Sequence, residues 1–292
     1  MTSKRLLNRA AIRLWRTALP RFAVYAGGRR IFVSANVTKP SALLNWKYDW
    51  KTEVIRRVLK IARGDFIDIG ANVGQTLLDY IAAGGNERYI GFEPNPHSFA
   101  SLFSLADENR LGGCVVLPVG LSDKTRLLTL YAQRGVPTDN GASLIADLRP
   151  GIELEDNVVP CYRFDDIRDD LGLDAIGLVK VDVEGAELQV LQGMHQSLKD
   201  FRPPLLCEIL GADAQADIAK YEATLEALTD FLHAHDYTVF NVQKDRLELL
   251  FLGLVKTAKF PVRVWTQENA HECDYLIIPS ERISDYEVLI RN

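Results

Sequence analysis

The run from Ile176 to Val183 is apolar except for Lys180 and Asp182, and Glu184 follows at once. Residues two apart on a strand point to one side, so Lys180, Asp182 and Glu184 are read on one face at the strand's end. Glu208 sits at the end of the next apolar strand, Leu205 to Ile209. Asp182, Glu184 and Glu208 thus form a candidate catalytic rim. Crowded carboxylates push one pKa upward, which suits a group that takes or gives a proton near neutral pH. An alcohol that attacks as a nucleophile must lose a proton near the transition state, and such a carboxylate is the base it needs. The same three side chains are also oxygen ligands of the kind Mg²⁺ takes, a reading the sequence favours less.

A second constellation lies earlier. Phe66-Ile67-Asp68-Ile69 is a short buried strand that runs into the turn Gly70-Ala71-Asn72-Val73-Gly74. Gly70 and Gly74 let that turn approach a ligand closely. Glu93 follows Gly70 by 23 residues and ends the very next strand, Arg88 to Phe92. A carboxylate there can accept hydrogen bonds from both hydroxyls of a ribose. Together these features point to an adenosine-containing ligand. A dinucleotide would want a second glycine where Asn72 stands, and the negative Asp68 beside the turn disfavours a pyrophosphate. No Walker lysine follows the turn. A ligand carrying an ammonium and a sulfonium, as S-adenosylmethionine does, fits the charge better. The alternatives are a nicotinamide-dependent oxidoreductase and a non-catalytic nucleoside-binding scaffold of the same fold.

These groups need a scaffold that brings several strand ends to one edge. Asp49 to Ala62 and Thr76 to Ala83 read as helices, and Cys114 to Leu121 as a third strand. Leu127 to Ala132 and Val158 to Phe164 read as extended, with the polar loop Val136 to Ser143 between them as a candidate acceptor wall. A single helix is expected from Ala186 to about Phe201, then a long one from Ala214 to Ala234. Tyr237 to Val242 and Tyr275 to Ile278 are late strands, and Lys244 to His271 is an insertion. Strands alternating with helices at this spacing indicate an α/β architecture with a largely parallel sheet, whose ligands sit beyond the carboxyl ends of the strands. Residues 49–292 are read as one domain and residues 1–48 as a basic helical extension.

Four segments in this order carry a family resemblance: Asp68-Ile69-Gly70-Ala71-Asn72-Val73-Gly74, Gly91-Phe92-Glu93-Pro94-Asn95-Pro96, Val119-Gly120-Leu121-Ser122-Asp123, and Val179-Lys180-Val181-Asp182-Val183-Glu184-Gly185-Ala186-Glu187. Together they resemble the FkbM-family methyltransferases. The resemblance implies a Rossmann-like class I methyltransferase fold, with a mostly parallel seven-stranded sheet whose last strand is antiparallel. It implies S-adenosylmethionine as the donor and a hydroxyl of a sugar, glycan, glycolipid or secondary metabolite as the acceptor. By matching motif, Asp68, Gly70, Asn72 and Gly74 would frame the methionine half of the donor. Glu93 would hold the ribose, Pro94 and Asn95 would lie beside the adenine, and Leu121, Ser122 and Asp123 would flank it.

Charge separates the two ends of the chain. Residues 1–47 hold ten Lys or Arg and no acid, leaving 24 basic against 39 acidic groups in the remaining 245 residues. An acidic body argues against a nucleic-acid partner. Arg5, Arg9, Arg13 and Arg16 fall on one helical stripe, so residues 1–30 are a candidate peripheral membrane contact or a packed helix. The four cysteines lie far apart without metal-binding spacing, and no apolar run is long enough for a membrane span, so a cytoplasmic protein is expected. His195 reads as a packed side chain, His233 and His235 are given no chemistry, and Glu187 is a candidate helix cap.

Overall fold

The structure is a computed structural model that describes residues 21–34, 40–146, 148, 151–212, 218–245, 247, 250–266 and 268–291. The first described residues form an antiparallel hairpin, β1 (Arg21–Ala26) and β2 (Arg29–Ser34). Helix α1 (Trp50–Ile61) leads into β3 (Asp65–Ile69), and the glycine turn leads into α2 (Gln75–Ala82). Next come β4 (Tyr89–Phe92), α3 (Pro96–Glu108) and β5 (Cys114–Leu117). Strands β6 (Gly120–Leu121), β7 (Arg126–Gln133) and β8 (Leu154–Tyr162) form a small separate sheet in the order β6-β8-β7. The chain continues through β9 (Ile176–Val181), α4 (Glu187–Gly193), α5 (His195–Phe201) and β10 (Leu205–Glu208). It then runs through α6 (Ile218–Ala234), β11 (Tyr237–Lys244), β12 (Phe251–Thr257) and β13 (Asp274–Pro279).

The main sheet has the order β12-β11-β13-β10-β9-β3-β4-β5. Strands β10, β9, β3, β4 and β5 pair in parallel, and β13 enters antiparallel between β10 and β11. Every residue of β3, β9 and β13 is buried, as a sheet covered on both faces requires. One core, with Phe66, Leu178 and Leu276 in the sheet, packs under α1, α2 and the hairpin. The other, with Ile67, Val179 and Ile277, packs under α4, α5 and α6. The architecture is a Rossmann-like α/β fold with a mostly parallel sheet.

Three expectations change. The sheet has eight strands rather than seven, because the insertion after Lys244 supplies β12 along the open edge of β11. The predicted helix from Ala186 to Phe201 breaks at Met194, where Gly193 presses against Ser122 O so closely that a Cβ would lie 2.1 Å from it. The helical extension is a hairpin over residues 21–34, and Val24, Ala26, Ile31 and Val33 join the domain's core, so no boundary falls at residue 48. Gly27 and Gly28 both have positive φ, as the two-residue turn of such a hairpin requires. The helical stripe Arg5 to Arg16 lies outside the described residues. Among the described residues no helix is long and apolar enough to cross a membrane.

Candidate active site

A cavity of about 290 Å³ opens at the carboxyl ends of β3, β4, β9 and β10. Gly70, Asn72, Glu93, Pro94, Leu121, Asp182, Glu184 and Glu208 all line it. Segments far apart in sequence reach one space because parallel strands end on one edge of the sheet.

The glycine turn forms the floor. Gly70 has φ +81°, and a Cβ there would lie 1.8 Å from Asp182 O, so only glycine lets β3 and β9 end this close together. Asn72 is held at φ +46°, and its N–H donates to Glu93 Oε2 at 2.7 Å. Asn95 N donates to the other oxygen, Oε1, also at 2.7 Å. Glu93 is buried, and burial pushes its pKa up to about 7 against those two N–H groups. Each oxygen keeps a further lone pair toward the cavity, the acceptor capacity that two ribose hydroxyls need. Asn72 Oδ1 is buried and has no hydrogen-bond partner among the described residues. These are the features expected of a site for a nucleoside with an ammonium-bearing tail.

Besides Asp68, four of the residues assigned to the ligand stand off the wall. Gly74, at φ +105°, starts α2 and packs on Leu102 and Leu105. Asn95 caps α3 through its side chain, accepting from His97 N and Ser98 N. Ser122 is buried with its N–H on Tyr162 O, and Asp123 lies toward Lys124 and Arg126.

Asp68 calls for a larger correction. It is fully buried and does not line the cavity. Its neighbour in the parallel ladder is Lys180. Lys180 Nζ lies 3.2 Å from Asp68 Oδ1, 3.2 Å from Asp182 Oδ2 and 2.9 Å from Gly70 O, while Tyr89 OH donates to Asp68 Oδ2. Burial works against the Lys180 charge, but Asp182 and Asp68 outweigh it and hold the pKa above the ordinary lysine value. One buried ammonium therefore ties the glycine turn to the rim carboxylate.

At the rim, β9 and β10 pair Val181 with Cys207, which sets Asp182 opposite Glu208. The Asp182 charge, then burial and Asp274, pushes the Glu208 pKa up to about 8. Glu184 lines the cavity but not through the strand pleat. Strand β9 ends at Val181, and Glu184 sits in a left-handed turn at φ +54°. Its carbonyl accepts from Ser143 Oγ at 2.6 Å, which pins the loop bearing Asp139, Asn140 and Ala142 against the cavity. Glu187 is buried, accepts from Gly185 N at 2.9 Å, and is raised to about 7 by burial. It thus holds the turn that precedes α4, whose N-cap Ala186 has no side-chain cap. Lys51 is the wall residue that the sequence reading missed. Asp49 caps α1 and places Lys51 in the helix's first turn. Burial works against its charge, and Asp79, Glu208, Asp182 and Asp274 together more than offset that.

Two cysteines adjoin the rim. Cys207 precedes Glu208 and is buried, and Cys273 Sγ donates to Glu208 Oε1 at 3.7 Å. Burial raises both thiol pKa values well above the ordinary range, helped at Cys207 by Glu187 and at Cys273 by Asp274 and Glu208. Among the described residues no group of three His, Cys, Asp or Glu side chains is arranged to hold a metal ion.

The histidines belong to packing. His195 Nδ1 lies 2.8 Å from His235 Nε2, and His235 Nδ1 lies 2.7 Å from Phe231 O, joining α5 to the end of α6. Burial, Lys199 and His235 lower the His195 pKa from its ordinary 6.5. Below 6.5 the unfolded imidazole takes a proton that the folded one resists, so the stability present above that value is lost as pH falls through it. Thermal unfolding followed between pH ~7.5 and ~5.5 should show this loss, and His195→Phe should flatten it.

Residues 68–239 match the family described as the Methyltransferase FkbM domain. The 31-O-demethyl-FK506 methyltransferase FkbM of Streptomyces tacrolimicus is 27% identical over 212 residues, covering 63% of this chain and 77% of that protein. Methyltransferase sdnD of Sordaria araneosa is 31% identical over 158 residues, covering 44% of this chain and 60% of that one. A crystal structure of methyltransferase FkbM from Methylobacillus flagellatus shares 18% identity at a TM-score of 0.43, covering 74% of this chain and 43% of its own.

Proposed function

The chain belongs to the FkbM methyltransferase family, and from that premise we propose that it carries the methyl group of S-adenosylmethionine to a hydroxyl of a sugar, glycan, glycolipid or secondary metabolite. One observation carries the reading: Glu93 and the Asp182–Glu208 pair line the same cavity, on either side of the glycine turn. The donor, when bound, supplies an electrophilic methyl carbon on a sulfonium. The chain's own residues hold, align and deprotonate.

Glu93 receives the ribose hydroxyls, and Asn72 Oδ1 receives an N–H of the donor's ammonium. The charge expected of Asp68 reaches the site only through Lys180. On the acceptor side, Glu208 at about 8 keeps its own proton at neutral pH, so Asp182 takes the proton of the attacking hydroxyl. A carboxylate pair at this place is what an alcohol acceptor requires, because its proton must leave as the carbon–oxygen bond forms. Asp139, Asn140 and Lys51 give the cavity further polar groups, which suits an acceptor rich in hydroxyls.

Donor recognition can be tested without knowing the acceptor. S-adenosylhomocysteine at ~100 times its Kd should add ~2.7 kcal/mol of stability, a rise of several degrees in Tm, and NAD should add none. Glu93→Gln should lose most of the rise. A rise with NAD and none with S-adenosylhomocysteine would overturn the reading.

A further inference from the structure

The hairpin β1–β2 takes no part in the cavity, yet it is built into the domain. Val24, Ala26, Ile31 and Val33 are buried, and Asn109 clamps Phe32 from the end of α3. Phe32 N donates to Asn109 Oδ1, and Asn109 Nδ2 donates to Phe32 O, each at 2.7 Å. The outer face is thereby presented rigidly. On it Tyr25, 69% exposed, stands directly opposite the exposed Arg30, whose guanidinium lies 4.9 Å from the centre of the Phe32 ring. Arg29 and Phe22, paired with Ala26 and Val33 on the opposite face, reach solvent at the two ends of the hairpin. Among the described residues neither Arg29 nor Arg30 is paired with a carboxylate. The sequence surrounding this face, residues 1–47, carries ten cations and no acid, whereas the rest of the chain is strongly acidic.

We propose that the outer face of this hairpin docks on an anionic lipid bilayer. Arginine forks match phosphate oxygens, and aromatic rings with an apolar body and a polar edge settle at the headgroup level. A nucleic acid offers the phosphates but no apolar layer for Tyr25 and the Phe32 ring beneath Arg30 to meet. An anionic bilayer offers both. The acidic body is repelled by the same surface, so the charge asymmetry turns the hairpin toward the membrane before contact. A preformed hairpin loses little conformational freedom on docking.

The test uses the full chain and phosphatidylcholine vesicles made with or without phosphatidylglycerol. Wild-type protein should sediment only with the phosphatidylglycerol vesicles, and salt should weaken that binding. Arg29→Glu/Arg30→Glu should lower the partition coefficient by roughly 10²-fold. Tyr25→Ser should remove the part of the binding that survives high salt. Each variant should keep the wild-type Tm and its rise with S-adenosylhomocysteine, which separates loss of docking from loss of fold. The proposal fails if the wild type stays in solution, or if the arginine variant binds as the wild type does. It also fails if the aromatic variant binds undiminished, since the face would then read phosphate alone.

Discussion

Asp182→Asn should lower methyl transfer by roughly 10²–10⁴-fold while leaving S-adenosylhomocysteine affinity nearly unchanged. The separation follows from geometry. The carboxylate proposed to face the ribose is Glu93, fixed by Asn72 N and Asn95 N, and none of those bonds passes through Asp182. Glu208→Gln should cost less at neutral pH, because Glu208 already holds a proton there, raised to about 8 first by the charge on Asp182. The wild-type rate should therefore climb as pH rises toward 8 and Glu208 ionises to become a second acceptor. Glu208→Gln should flatten that climb. A pH–rate profile for wild type and both variants, with calorimetric titration of S-adenosylhomocysteine alongside, reads every arm. If Asp182→Asn methylates at the wild-type rate, alignment alone carries the reaction and the base assignment is wrong.

Lys180→Met should cost about 3–5 kcal/mol of stability, since it strands Asp68 as a fully buried carboxylate without its cation. Urea unfolding measures the loss. Asp68→Asn/Lys180→Met removes both charges and should recover much of that stability. It should not recover donor affinity or turnover, because Gly70 O and Asp182 no longer share one ammonium. Lys180→Arg tests shape against charge, and a planar fork in a cavity fitted to an ammonium should restore stability only in part. If the double variant binds donor and turns over like the wild type, Lys180 is a structural counter-ion and nothing more.

The parts of the site legible in the sequence are those that depend on strand ends. The glycine turn after Ile69, Glu93 at the close of β4, and Asp182 opposite Glu208 all follow from placing parallel strands side by side. What the sequence hid depends on register and on side-chain partners. Asp68 reads as a ligand-facing charge until β3 and β9 are aligned, for nothing local tells that its ladder neighbour is Lys180. From its spacing alone Glu184 continues the pleat of β9, but Val181 is the last strand residue and a left-handed turn takes over. Lys51 enters the cavity from a helix that precedes every motif, so no spacing rule connects it to the rim. The hairpin could have been found. Gly27-Gly28 between the apolar, strand-prone runs Phe22 to Ala26 and Ile31 to Val33 is a two-residue turn signal that the surrounding arginines obscured.

The buried thiols beside the rim bear on chemoselectivity. A methyl donor reactive enough to alkylate an alcohol would alkylate a thiolate more readily, because sulfur anions are the stronger nucleophiles. Cys207 precedes Glu208 and Cys273 Sγ donates to it, beside the rim where the proposed reaction would bring the methyl group. Their burial among carboxylates keeps both as neutral thiols, and Cys273 spends its S–H on Glu208. The acidity that prepares the rim to accept an alcohol proton thus also silences its sulfurs, and the enzyme is spared from methylating itself.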